Sequence, residues 1–166
     1  MPTQGSVEGV RYGSTRARVA DFISRGIAAG FGGAILIDGY LLVVLVAFSR
    51  VATATGFYEF VASGAIGSGA YRQPGGVAIG VAVHFLVSVA WGVGYAYVAS
   101  RTPQVRAHPL MSGVVFGIVV MIAMQLVEVA ANIYRAPDSF SFLTALVGHI
   151  VFFGVPVAFV YRRLAA

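Results

Sequence analysis

Four stretches of this chain are too long and too apolar to be buried anywhere but in a lipid bilayer. The first lies between Arg25 and Arg50 and is broken by Asp38. The second lies between Arg72 and Arg101 and is broken by His84. The third runs from His108 to Arg135, broken by Glu128, and the fourth from Asp138 to Arg162, broken by His149. Each gap holds 23 to 28 residues, against the roughly 20 that a spanning helix needs. Core helices of a soluble protein would keep one polar face, and these runs have none. Composition agrees: 10% of the residues are charged and mean hydropathy is +0.86, where a soluble domain carries about 25% charged residues. The chain therefore reads as an all-α integral membrane protein, a four-helix bundle over residues 22–166 with spans at about 26–49, 76–99, 109–134 and 140–161.

Orientation follows from arginine. Arg11, Arg16, Arg18, Arg25, Arg101, Arg106, Arg162 and Arg163 fall on one side of the predicted spans, and Arg50, Arg72 and Arg135 on the other. Basic residues concentrate on the cytoplasmic side, so both ends are expected in the cytoplasm, and the net charge of +5 is absorbed by topology instead of by nucleic acid. Residues 1–21 are expected to form a mobile cytoplasmic tail or to lie on anionic headgroups. Residues 50–75 are expected to form a periplasmic loop, in which Phe57, Tyr58, Phe60 and Val61 suggest a short interfacial helix.

Several kinds of chemistry are closed to this sequence. It has no cysteine and no lysine, which removes thiolate metal sites, cysteine nucleophiles, Schiff bases and the P-loop lysine. Ser88 sits one turn from His84, but nothing marks an oxyanion hole, so no catalytic residue is assigned.

The first and third spans share a pattern. Gly26-Ile-Ala-Ala-Gly30 parallels Gly113-Val-Val-Phe-Gly117, the spacing that lets helix backbones approach closely in lipid. In that register Asp38 falls opposite Gln125. The second and fourth spans match through His84 and His149. The fold is thus expected to be two parallel helix-pair repeats.

At Phe60-Val-Ala-Ser-Gly-Ala-Ile-Gly67, at Gly76-Val-Ala-Ile-Gly-Val-Ala-Val-His84-Phe-Leu and at Gly148-His149, the chain resembles a widespread family of small four-helix bacterial inner-membrane proteins. The resemblance runs from Gly26 to Arg163. It implies four spans and a bacterial inner-membrane location, and it brings no activity with it. Glu128 has no place in that family pattern.

The ionisable residues inside the spans are the candidate functional set. Each costs about 2.5–3.5 kcal/mol on insertion scales, so each is expected to face the bundle interior. At about 1.5 Å per residue, Asp38 and His149 fall near the midplane. His84 and Gln125 come out about one turn further towards the periplasm, and Glu128 further still. Three readings compete for Asp38, His84, Gln125, Glu128 and His149. They pack the helices of a non-enzymatic accessory subunit or homo-oligomer. Alternatively His84 and His149, with Asp38, ligate a metal ion or haem. Or the set lines the path of a proton-coupled transporter or channel. Nothing in the sequence separates them.

Overall fold

The computed structural model describes residues 4–48 and 54–165. Arg50 lies outside the described residues, as do the side chains of Arg11 and Arg16. The described residues are helical or irregular, without strands. In order, the elements are α1 (Gln4–Ala47), α2 (Ala54–Ile66), a 3-10 turn (Gly67–Tyr71), α3 (Gly76–Arg101), α4 (Pro103–Ala107), α5 (Pro109–Ala130), α6 (Ser139–Val147), a π-helical segment (Gly148–Gly154) and α7 (Val155–Leu164).

Four helices are long and apolar enough to cross a membrane: Ala17–Ala47 within α1, α3, α5, and the continuous rod α6–π–α7 over Ser139–Leu164. These four helices cover the stretches expected from sequence, and three details of them go beyond that expectation. The first is that α1 starts at Gln4, so residues 4–21 are helical and run unbroken into the first span. No proline interrupts the sequence between Pro2 and Pro74, and nothing else stops the helix. The second is that α5 ends at Ala130, short of Tyr134, because Asn132 takes a left-handed conformation with φ 58°. Asparagine tolerates that region, and it closes helices there. The amides of Ile133 and Tyr134 then both turn back to the Glu128 carbonyl, at 3.0 and 3.1 Å. The third concerns Pro156, which has no N–H and crowds the carbonyl four residues earlier. The fourth span answers with the widened π turn just before it, a local adjustment by which membrane helices re-satisfy backbone groups that a proline frees.

In lipid no hydrophobic drive presses helices together, so close backbone packing must do it. Two crossings supply that packing. In the first, α1 runs antiparallel against α3. A Cβ on Gly26 would lie 2.7 Å from the Val93 Cα, and one on Gly30 2.8 Å from the Val89 Cα. One on Gly92 would lie 2.5 Å from the Gly30 Cα. In the second, α5 meets the fourth span. A Cβ on Gly113 would lie 2.7 Å from the Val155 Cα and one on Gly117 2.7 Å from the Ile150 Cα. One on Gly154 would lie 2.7 Å from the Gly117 amide nitrogen. The four glycines assigned to packing from sequence, Gly26, Gly30, Gly113 and Gly117, all sit in these crossings.

The two pairs join along α1 and the fourth span, where Gly33 takes the Phe153 and Val157 side chains and Gly148 takes Tyr40. A core of Ile37, Tyr95, Val120, Phe153, Val157 and Tyr161 fills the space between. Long side chains bridge the remaining side, α3 to α5: the Tyr95 and Ser112 hydroxyls lie 2.8 Å apart and Phe116 packs on Tyr95 at 5.0 Å. Beside that bridge an apolar groove of about 950 Å³ opens between α3 and α5, walled in part by Trp91, Tyr97, Met111 and Val119. Met111, which the spacing along the third span places in the core, is 67% exposed there.

These contacts predict opposite outcomes for two alanine substitutions. Gly30→Ala puts a methyl into the α3 backbone and should cost about 1–3 kcal/mol, as overpacking does. Gly94→Ala, whose Cβ meets nothing within 4 Å, should be neutral or should stabilise by up to about 1 kcal/mol. Thermal unfolding in mild detergent measures both, and equal midpoints would mean the crossing is looser than described.

Candidate functional site

Asp38 sits on α1 two turns beyond Gly30, and it is 6% exposed. Its carboxylate meets two partners from two other elements. The Tyr58 hydroxyl on α2 donates to Asp38 Oδ2 at 2.9 Å. His84 Nε2 on α3 lies 2.8 Å from Asp38 Oδ1. That second contact is close but not aligned as a hydrogen bond: both atoms are shielded from solvent and neither has a directed partner. The expectation that Asp38 and His84 differ by a turn in depth is therefore corrected. The α1–α3 crossing sets them side by side.

Sequence reasoning placed Tyr58 in an interfacial aromatic cluster and missed it as a partner of Asp38. It arrives there because α2 lies directly on α3. A Cβ on Gly80 would collide with the Tyr58 carbonyl, and Phe57 packs edge-on against the His84 ring at 5.7 Å. A glycine one turn before His84, with an aromatic pair upstream, is the signal that could have found this contact.

Tyr58 lies outside the spans, and its hydroxyl is pushed up to about 12, first by burial and then by the hydrogen bond and negative charge of Asp38. The ordinary value is 10.0, so the neutral phenol is the form the folded protein favours.

His149 stands apart from the Asp38–His84 pair. Its Nδ1 donates to the Ala145 carbonyl at 2.8 Å. A carbonyl only accepts, so Nδ1 carries the proton and Nε2 is left as the ring's acceptor. Two spaces adjoin this ring. One, of about 40 Å³, lies between His149 and His84 and is walled by Ser88, Trp91, Met124 and Phe153. The other, of about 190 Å³, is lined by Gln125, Glu128, Arg135, Ser141 and His149. His149 and Met124 border both.

The structure thus divides the sequence-derived set in two. Asp38 and His84 form a pair, while Gln125, Glu128 and His149 share a cavity. The cavity owes its outer wall to the left-handed turn at Asn132, which folds Tyr134 and Arg135 back over Glu128. Asp138 begins the next helix, its carboxylate accepting from the Ser141 amide at 2.7 Å, as N-cap residues do.

The metal and haem assignment of His84, His149 and Asp38 meets a geometric objection. Among the described residues no three His, Asp or Glu side chains converge on one point. The space between the two histidines has room for one or two waters, and a tetrapyrrole is many times larger. No protein-family model, curated protein or solved structure matches the chain.

Two outcomes are expected of Tyr58. Tyr58→Phe should lower stability by about 1.5–3 kcal/mol, the worth of a hydrogen bond to a charged group. In the parent protein the stability that Tyr58 contributes is complete below pH 10 and is lost as pH rises from 10 towards 12, because only the unfolded chain releases that proton in this window. Difference absorbance of phenolate between parent and Tyr58→Phe reads it directly. A Tyr58 titration centred near 10 would remove the contact with Asp38.

Proposed function

We propose that the protein is a multi-pass protein of the bacterial inner membrane that moves protons between its periplasmic face and the intramembrane Asp38–His84 pair, coupled to a small polar solute. In this reading both ends lie in the cytoplasm, as the arginine distribution requires. The chain is two parallel helix-pair repeats, α1/α3 and α5/α6–α7. One observation carries the functional part: ionisable side chains stand along two adjoining cavities that share His149. Water in such spaces needs two to four polar partners, and these walls supply them. Intramembrane ionisable groups facing a cavity are the usual mark of a proton path.

The glycine crossings support the two-repeat arrangement. Gly92 stands to Gly26 and Gly30 as Gly154 stands to Gly113 and Gly117. The same contacts make Ser88, whose carbonyl meets Gly30, the counterpart of His149, whose carbonyl meets Gly117. The pairing of His84 with His149 by sequence register gives way to that one. Each pair is locked internally by backbone contact, and the pairs meet through side chains. Parallel repeats of this kind give alternating access when one pair rocks against the other. Towards the chain termini the path is closed in this state by Tyr95, Phe116, Phe153 and Tyr161, whose rings pack on one another.

Proteoliposomes carrying a pH-sensitive dye test the reading. The parent protein should pass protons under an imposed gradient, with a rate that depends on external pH. Asp38→Asn, which keeps the shape and removes the titrating group, should reduce the rate at least tenfold, and Gly39→Ala, on the exposed face of α1, should leave it unchanged. Equal rates in parent and Asp38→Asn, or none in the parent, would sink the proposal.

A second reading, an accessory subunit of a membrane complex or a homo-oligomer, draws on a different observation, the apolar groove between α3 and α5. A partner helix seated there would protect it. Under that reading Val115→Trp, in the groove wall, should lower the oligomeric mass measured in mild detergent.

A further inference from the structure

The cavity beside His149 holds two opposite charges that do not use each other. Glu128 on α5 and Arg135 after the Asn132 turn both line it. Among the described residues neither side chain makes an ion pair or a hydrogen bond, and the same holds for the Gln125 amide. Arg135 is exposed and Glu128 half-buried, so both can meet a molecule that enters from outside, and an ionisable side chain kept inside a span, as Glu128 is, calls for a specific explanation. The turn at Asn132 brings both to the wall of one space of about 190 Å³, below the roughly 300–1,000 Å³ of sites for drug-sized molecules.

We propose that this cavity binds a small zwitterion, a solute with one carboxylate and one ammonium, and that this is the solute of the proton-coupled reading given above, on which the assignment of transport rests. The guanidinium fork of Arg135 suits a carboxylate, which it can take through two parallel N–H donors. Glu128 takes the ammonium, and the Gln125 amide and the Ser141 hydroxyl are within the same walls for the remaining donors and acceptors.

Charge also supplies the discrimination. A bound zwitterion leaves the site neutral and both protein charges paired. A simple carboxylic acid would satisfy Arg135 and set its anion beside Glu128, and a simple amine would face Arg135. Each mismatch is a repulsive contact of the kind that gives specificity. His149 completes the link to the proton path. Its Nδ1 is committed to Ala145, so Nε2 is the nitrogen left to exchange a proton at the boundary between this cavity and the space leading to His84.

Binding is measured by isothermal titration of the purified full chain in mild detergent, with no gradient present. The probes are glycine, alanine, serine and betaine, beside propionate and ethylamine as the single-charge controls. At least one zwitterion should bind saturably, and neither control should bind measurably at the same concentrations. Glu128→Gln and Arg135→Gln should each weaken binding at least tenfold, and Arg135→Lys should weaken it less. Variants are accepted only if they elute as the parent does, and Gln125→Ala serves as the milder third probe of the same wall. No saturable binding by any zwitterion, or propionate binding as tightly as alanine, overturns the assignment. Binding without proton flux in proteoliposomes would leave this site standing and remove the transport reading, and flux without binding would do the reverse.

Discussion

Everything in this molecule hangs on backbone meeting backbone at two glycine crossings. Water normally drives apolar surfaces together, but a chain already dissolved in hydrocarbon gains nothing from that force. What remains is dispersion between closely fitted surfaces, and it falls off steeply with separation. Gly26, Gly30 and Gly92 on one side, and Gly113, Gly117 and Gly154 on the other, remove the side chains that would hold the helices apart. The position of every polar residue follows, because Asp38 stands two turns along from Gly30 and His149 lies directly on Gly117.

The polar residues then divide by what holds them. Asp38 is clasped by α2 and α3 through Tyr58 and His84, and that clasp ties an element outside the spans to the middle of the bundle. Among the described residues Glu128, Gln125 and Arg135 make no ion pair or hydrogen bond. The first group looks inward to the protein for its partners, and the second faces a space. A purely structural polar set would be expected to close on itself, since unsatisfied groups cost more than apolar ones of the same shape.

Much of the bundle could be read in advance for a simple reason: the bilayer imposes one length and makes charge within it costly, so Arg101, His108 and Arg162 mark helix ends almost by themselves, whereas α1 runs on through Arg25. The glycine pairs of the first and third spans were legible for a similar reason, since spacing alone brings i and i+4 to one face. What escaped was contact between residues distant in sequence. Tyr58 looked like any interfacial ring, because its partner lies on α1 and its seat, Gly80, on α3. Asn132 gave a local cue for stopping α5, but its effect, the return of Arg135 over Glu128, is a matter of direction that periodicity does not carry. The π turn before Pro156 has no mark in the sequence beyond the proline itself. Under the proposed two-repeat arrangement the glycine contacts set His149 against Ser88, where sequence register set it against His84.

The widened turn at Gly148–Gly154 bears on how freely the two halves could be exchanged. From Ser88 to Gly92 the first pair advances four residues between its two glycine contacts, and from His149 to Gly154 the second advances five. In an unbroken α-helix one additional residue would swing everything beyond it by about 100°, turning Val157 and Tyr161 out of the core and into lipid. The π turn absorbs the addition, so the rest of the rod keeps its phase. A chimera that spliced the second span's α-helical middle into the fourth would therefore arrive one residue short. It would present a different helical face to the opposite pair, so the two crossings differ in helical phase even where their glycine contacts correspond.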